Sequence, residues 1–348
     1  IDAAVNGEII SVAPGTYSGF GNVGIDFNGK AITVECRSNL QDCVLDCSSL
    51  GSPTSCVFFR SGEPPASTLR GMYLTGGEGS SLGHSWAGIV PIIGGAVFCD
   101  GSSPTIEGNV LDNNSAELGG AIGAFDCSGI VIRDNTITQN SATRFHGGGI
   151  YLNGASSTDQ LVWGNSVASN SAPSGGGGLA MQSGASPLVQ GNRFENNAAS
   201  SGGGLYVSNG SPFLRNNLIA GNQATGTNSG PNVWSGGGAI RLWGAAVDAT
   251  NNTVVDNESI VRGGAIYVAY TTGAVFRNSI LAGNVAATGD DCYVAYYESS
   301  TSFPSVVNLE NVLWERGPSG SFVESGCTMT TAGMITAPAD FVDGPGGD

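Results

Sequence analysis

Short bursts of alternating apolar and polar residues recur along the chain, and a small-residue box announces each one. The boxes read Gly94-Gly95-Ala96-Val97, Gly119-Gly120-Ala121-Ile122, Gly147-Gly148-Gly149-Ile150, Gly176-Gly177-Gly178-Leu179, Gly202-Gly203-Gly204-Leu205, Gly237-Gly238-Ala239-Ile240 and Gly263-Gly264-Ala265-Ile266. From box to box the spacing is 25, 28, 29, 26, 35 and 26 residues. Alternation puts residues i and i+2 on one face of a strand. That face carries pairs such as Val97 and Cys99, Ile150 and Leu152, or Leu205 and Val207.

A second signature, Asn-x-apolar-x-x-Asn, follows each box. It runs Asn109 to Asn114, Asn135 to Asn140, Asn165 to Asn170, Asn192 to Asn197, Asn217 to Asn222 and Asn252 to Asn257. A seventh copy ends at Asn284 but begins with Ser279. Its apolar centres are Leu111, Ile137, Val167, Phe194, Ile219, Val254 and Leu281. A further inward strand is marked by Ile106, Ile132, Val162, Val189, Leu214 and Phe276. Three short strands per repeat, each with one buried face, predict an all-β fold: a right-handed, three-sheet parallel β-helix solenoid of about ten or more coils. Leu111, Ile137, Val167 and Phe194 should then pile in one column.

An asparagine side chain both donates and accepts, so it can satisfy backbone groups at a buried corner and stack coil on coil as a ladder. Asparagine also tolerates the left-handed conformation of a sharp corner. The pattern gives one domain over 1–348: irregular N-terminal coils in 1–93, regular repeats in 94–285 and decaying coils in 286–348. Excursions at 80–92, 153–160 and 224–234 fall on the outside of the solenoid, where binding often resides.

Composition narrows the setting. Among 348 residues are 56 glycines and a formal net charge of −16, with Lys30 the single lysine. Such acidity argues against nucleic acid as a partner and allows divalent cations or sugars. No apolar run is long enough to span a bilayer. The even set Cys36, Cys43, Cys47, Cys56, Cys99, Cys127, Cys292 and Cys327 contains no Cys-x-x-Cys pair, so disulfides in an oxidising compartment are expected rather than a metal site. Proximity pairs Cys36 with Cys43, Cys47 with Cys56, Cys99 with Cys127 and Cys292 with Cys327. The ends open and stop inside motifs, as in a fragment of a longer precursor.

The boxes and Phe194-Glu195-Asn196-Asn197 resemble the repeat of the chlamydial polymorphic outer-membrane proteins, GGA[ILV] followed by FxxN. The segments Ile1-Asp2-Ala3-Ala4-Val5, Val12-Ala13-Pro14-Gly15-Thr16-Tyr17 and Ile25 to Val34 resemble the first coil of secreted β-helix proteins. The resemblance covers about residues 1–290 and implies a secreted or cell-surface location. Proteins of this kind include adhesins, surface structural proteins and polysaccharide-active enzymes, and the fold does not choose among them.

No convergent catalytic cluster is visible in the sequence. The reading it favours is therefore a non-catalytic extracellular structural or adhesive protein, self-assembling or bound to carbohydrate or other surface proteins. The alternatives are a polysaccharide lyase of the pectate-lyase type and a carbohydrate-binding module. Lyases of this fold, by resemblance, use an arginine or lysine base with carboxylates holding Ca²⁺; Arg133, Asp134 and Asp112 are the weak candidates, and no metal or other cofactor is otherwise implied. Asp290-Asp291 is the only acidic pair. The binding candidates are the outward row of the box strands, Phe98, Tyr151, Tyr206, Arg241 and Tyr267, which either offers rings to sugars or lies under overlying loops. Trp163, Trp234 and Trp243 are possible additions. His84 and His146 lie in or beside loops. Sequons at Asn113, Asn209 and Asn251 are candidate glycosylation sites, whereas a fourth at Asn257 belongs to the ladder.

Overall fold

The computed structural model describes the chain apart from residues 39–41, 49–53, 82, 84, 86–87, 155–156, 158, 229–234, 272, 296–303 and 337–348. Each coil runs through the same order of strands. Sheet I, with twelve strands, includes Thr105–Glu107, Val131–Arg133 and Leu161–Trp163. Sheet II, with eleven, includes Val110–Asp112, Thr136–Thr138 and Ser166–Ala168. Sheet IV, also eleven-stranded, is made of the box strands such as Val97–Asp100 and Ile122–Phe125. All three are parallel stacks, as the repeat predicts.

A fourth sheet was not foreseen. Between the second asparagine and the next glycine box, seven coils add a short strand, among them Ser115–Ala116, Ser141–Ala142 and Ser171–Gly175, to form sheet III. The earlier of these strands are short and rich in serine and alanine, so they carry little alternating pattern to read, and later ones such as Glu258–Arg262 and Val285–Thr288 bring in larger side chains. The reason for the small residues is space. A Cβ on Gly120 would lie 2.3 Å from the Gly148 carbonyl oxygen and 2.6 Å from the Ser141 nitrogen. The box glycines thus let the backbone fold back tightly against sheet III.

The interior is built of columns. Leu111, Ile137, Val167, Phe194, Ile219, Val254 and Leu281 are consecutive partners in sheet II, and all are fully buried. Ile106, Ile132, Val162, Val189 and Leu214 stack likewise in sheet I. Burying such a side chain stabilises the fold by roughly 1.5–3 kcal/mol relative to exposure.

Two asparagine ladders run up the corners on either side of sheet II. In the first, Asn109 Nδ2 donates to Asn135 Oδ1 (3.1 Å), Asn135 to Asn165 (3.0 Å), Asn165 to Asn192 (3.0 Å), Asn192 to Asn217 (3.1 Å) and Asn217 to Asn252 (3.0 Å). The second climbs from Asn114 through Asn140, Asn170, Asn197, Asn222 and Asn257 to Asn284. Each Oδ1 also accepts a backbone N–H from one coil earlier: that of the preceding asparagine, as Asn170 Oδ1 does from Asn140 (2.9 Å), or, at the start of the two ladders, those of Met72 and Gly77. The left-handed corner residue is not the ladder asparagine, as expected from sequence, but the residue before it. Asn113, Asp134, Gln139, Asn196, Asn216 and Asn251 have φ between 54° and 57°. The ladder side chain must point inward to reach its neighbours, so the chain reverses one position earlier.

Candidate active site

The outward row of sheet IV is on the outer face of its sheet, but it is not open to solvent. Phe98, Tyr151, Tyr206, Arg241 and Tyr267 are only 3%, 0%, 7%, 0% and 2% exposed. The excursion at 80–92 returns as an antiparallel pair, Ser80–Ser81 with Ile92–Ile93. From there Ile93, with Leu118 and the half-buried Phe145, packs over Phe98, Phe125, Tyr151 and Tyr206 as a second hydrophobic cluster. Of the two arrangements that the sequence leaves open for this row, the covered one is found over these rings. The overlying chain is apolar, and burying these rings against it removes more surface from water than exposing them would.

The cover is broken over one stretch. A cavity of about 550 Å³ lies where His146, Ser174, Ser201, Tyr206, Ser235 and Arg241 meet, with Pro173, Ser200 and residues 225–228 completing the wall. His146 stands just before the Gly147 box and is bridged through its backbone to Gly175 in the next coil. Its ring stacks on Tyr206, with centroids 5.0 Å apart and planes 3° from parallel. Gly175 makes that stack possible: a Cβ there would lie 2.9 Å from the Tyr206 ring and 3.1 Å from His146 Nδ1.

Arg241 replaces an aromatic residue in the outward row. Its Nη1 donates to Ser201 Oγ (3.1 Å), and its guanidinium carbon lies 4.7 Å from the Tyr267 ring centroid and 5.5 Å from that of Trp243. Burial lowers its pKa, yet a guanidinium keeps its proton in a protein. Burial, reinforced by the charge of Arg241, pushes the His146 imidazole down to about 4. It is therefore neutral at ordinary pH. Among the described residues of the wall none is acidic, and serine and threonine hydroxyls dominate.

The sequence candidates Arg133, Asp134 and Asp112 are not brought together. Arg133 lies on the outer face of sheet I, where Glu35, Arg70, Glu107 and Arg133 are successive strand partners in an ion-pair row. Arg70 Nε meets Glu35 Oε2 at 2.7 Å, and Arg133 Nε meets Glu107 Oε2 at 2.7 Å. Asp134 takes a positive-φ corner (56°) and shares a shallow groove with Arg133. Asp112 belongs to sheet II, outside that groove. Its Oδ2 accepts from Tyr73 Oη (2.6 Å), a bond that, with burial, pushes the phenol up to about 12.

Trp163 follows Arg133 in the same row and is 39% exposed. Trp243 is half-buried against Tyr267, while Trp234 and His84 lie outside the described residues. Asp290 pairs with Arg316, and Asp291 is buried at the end of the second ladder. Cys36–Cys43 and Cys47–Cys56 are disulfides. Cys99 and Cys127 are thiols in contact, Cys292 is a buried thiol and Cys327 a half-buried one. Asn113, Asn209 and Asn251 are exposed, and Asn257 is buried in its ladder. Among the described residues no three metal-ligating side chains converge, and no helix is long and apolar enough to cross a membrane.

Sequence reasoning missed His146 as a site residue. Two signals were present: histidine is used only twice in the chain, and this one abuts a box beside the excursion at 153–160. What the sequence does not show is that Tyr206 and Arg241, roughly 60 and 95 residues further on, come to lie beside it.

Solved structures of the same architecture act on polysaccharides. The A-module of the Azotobacter vinelandii mannuronan C-5 epimerase AlgE4 superposes with a TM-score of 0.58 at 10% identity, over 95% of this chain and 87% of that one. The A-module of AlgE6 from the same organism gives 0.58 at 13% identity, over 97% and 92%. No curated protein matches the chain by sequence. At these identities the likeness is one of fold. The expectation of a non-catalytic structural or adhesive protein is corrected at its ground: it stood on the lack of a convergent cluster, and His146, Tyr206 and Arg241 do converge at one cavity, while the two neighbours in fold, themselves enzymes, lend that expectation no support. A family model described as a right handed beta helix region matches residues 95–244 and 141–331, and the chain belongs to that family.

Proposed function

We propose that the protein is a polysaccharide-active enzyme of the lyase type, working on an acidic glycan in the cavity of His146, Tyr206 and Arg241. The observation that carries this reading is the wall chemistry: one guanidinium, one neutral imidazole stacked on a phenol, and a rim of hydroxyls. Glycoside hydrolysis ordinarily needs a pair of carboxylates across the bond, and the described wall offers none. β-Elimination needs different groups. A cation must hold the uronate carboxylate so that the adjacent C5–H becomes acidic, a base must take that proton, and an acid must protonate the departing O4. Arg241, His146 and Tyr206 fit these roles in turn. The C5–H and C4–O bonds break and a C4–C5 double bond forms; His146 then releases the C5 proton to solvent, and the Tyr206 phenol recovers from solvent the proton it gave to O4.

Two disulfides support a location outside the reducing cytosol, and the likeness to the chlamydial outer-membrane repeat accords with a cell-surface or secreted chain. The test is incubation with polyuronides, with and without Ca²⁺, following the ultraviolet absorbance of the unsaturated product. Turnover should appear, and it should fall at least about 100-fold in both His146→Ala and Arg241→Ala. No turnover on any polyuronide, or turnover indifferent to both substitutions, overturns the proposal.

A further inference from the structure

The bore of the solenoid holds a pair of sulfurs that the chemistry of the cavity does not use. Cys99 lies on the inward face of Val97–Asp100, and Cys127 follows the next strand of sheet IV, Ile122–Phe125, one residue past the positive-φ corner at Asp126. The two residues are 0% and 1% exposed, and their Sγ atoms are 2.7 Å apart. That separation is well inside the contact distance of two unbonded sulfurs and not far above the roughly 2.05 Å of a disulfide. The cysteines stand 28 residues apart in sequence, so a bond between them would tie one coil to the next rather than close a local turn.

We propose that Cys99 and Cys127 form a disulfide in the mature protein, the third after Cys36–Cys43 and Cys47–Cys56. It staples together the first two coils of the regular stack, at the junction with the irregular N-terminal coils. In the reaction the two thiols lose two electrons and two protons to a disulfide oxidant such as oxidised glutathione. The S–S bond forms, and the oxidant is released as two thiols.

Burial also fixes when this happens. The thiolate is the attacking species in thiol–disulfide exchange. Burial pushes the Cys99 thiol well up, and neither sulfur is open to solvent in the finished coil. The bond therefore closes while the coil is still open during folding. Once folded in the reduced form, the pair is protected from oxidants.

The full chain is refolded in a glutathione redox buffer, denatured, blocked with iodoacetamide and cut at glutamate without reduction. Glu107 and Glu117 lie between the two cysteines, so the bonded form yields two peptides held together. The expected result is this linked pair, lost in Cys127→Ser, where Cys99 becomes alkylated. In a second arm, protein already folded in the reduced state receives oxidised glutathione, and the linked pair should form at least about 100-fold more slowly than during refolding. Full alkylation of both cysteines after oxidative refolding overturns the disulfide. Equally fast oxidation of the folded protein overturns the order of events.

Discussion

Replacing Asn170 by alanine removes one rung of the second ladder, and its consequences can be worked out bond by bond. The side chain is 1% exposed. Its Nδ2 donates to Asn197 Oδ1 (3.0 Å), the Ile137 carbonyl (2.9 Å) and the Ala168 carbonyl (3.0 Å). Its Oδ1 accepts from the Asn140 backbone nitrogen and from Asn140 Nδ2, both at 2.9 Å. Asn140 Nδ2 keeps the Leu111 and Thr138 carbonyls, so it survives the loss. The Asn140 backbone N–H, by contrast, is left buried without its acceptor. One stranded buried donor costs about 1–3 kcal/mol, and each remaining lost bond about 0.5–1.5 kcal/mol. One stranded donor and four further lost bonds come to about 3–9 kcal/mol, a large share of the ~5–15 kcal/mol that holds a typical protein folded. Because coils interact mainly with their neighbours, the damage should be concentrated in the coils of Asn140 and Asn197. Urea unfolding followed by circular dichroism gives the total, and hydrogen exchange at the Asn140 amide gives the location. Asn196→Gly is the control: the position is an exposed corner with φ 56°, which glycine accepts, so a change within about 0.5 kcal/mol is expected. An Asn170→Ala protein within about 1 kcal/mol of the parent would refute the ladder as a source of stability.

Other substitutions probe the cavity and the titrating groups. Gly175→Ala should push the His146–Tyr206 stack apart and lower turnover about tenfold or more, with the melting temperature nearly unchanged; unaltered kinetics would remove the stack from the mechanism. Arg241→Lys keeps the charge but not the planar fork and should raise KM on polyuronides more than it lowers kcat, which steady-state kinetics will show. Two buried groups bend the pH profile of stability in opposite directions. Burial raises Asp291 to about 6, so its penalty grows as pH rises from about 4 to 6, while His146, lowered to about 4, penalises folding as pH falls below about 6.5. Unfolding midpoints of Asp291→Asn should therefore rise with pH across this window, and those of His146→Gln should fall; parallel profiles for the two variants would contradict the assignment.

The coil was legible in the sequence because its determinants are local and repeat. Each inward residue of sheets I, II and IV occupies a fixed offset from a glycine box or an asparagine, and stacking identical offsets makes the columns of Leu111, Ile137, Val167 and Phe194. The ladders were legible for the same reason. Sheet III was not, since its first strands are two residues of serine and alanine, and its later ones, such as Ser171–Gly175 and Glu258–Arg262, share no common pattern with them. Nor was the left-handed residue before each ladder asparagine, because Asp134, Gln139 and Asn196 share no side-chain type and share only a position.

The sequence by itself determined that an acidic, glycine-rich chain winds into a solenoid with aliphatic residues in its bore and amides zipped along two corners. Only the tertiary structure decided what the outside of that solenoid does. Alternation says that Phe98, Tyr151, Tyr206, Arg241 and Tyr267 point outward; it cannot say that Ile93, Leu118 and Phe145 cover part of the row and leave Tyr206, with His146 stacked on it, and Arg241 lining one cavity. The physical reason is that the core obeys a repeat, whereas the cover is made of excursions that differ from coil to coil and meet only when the coils are stacked.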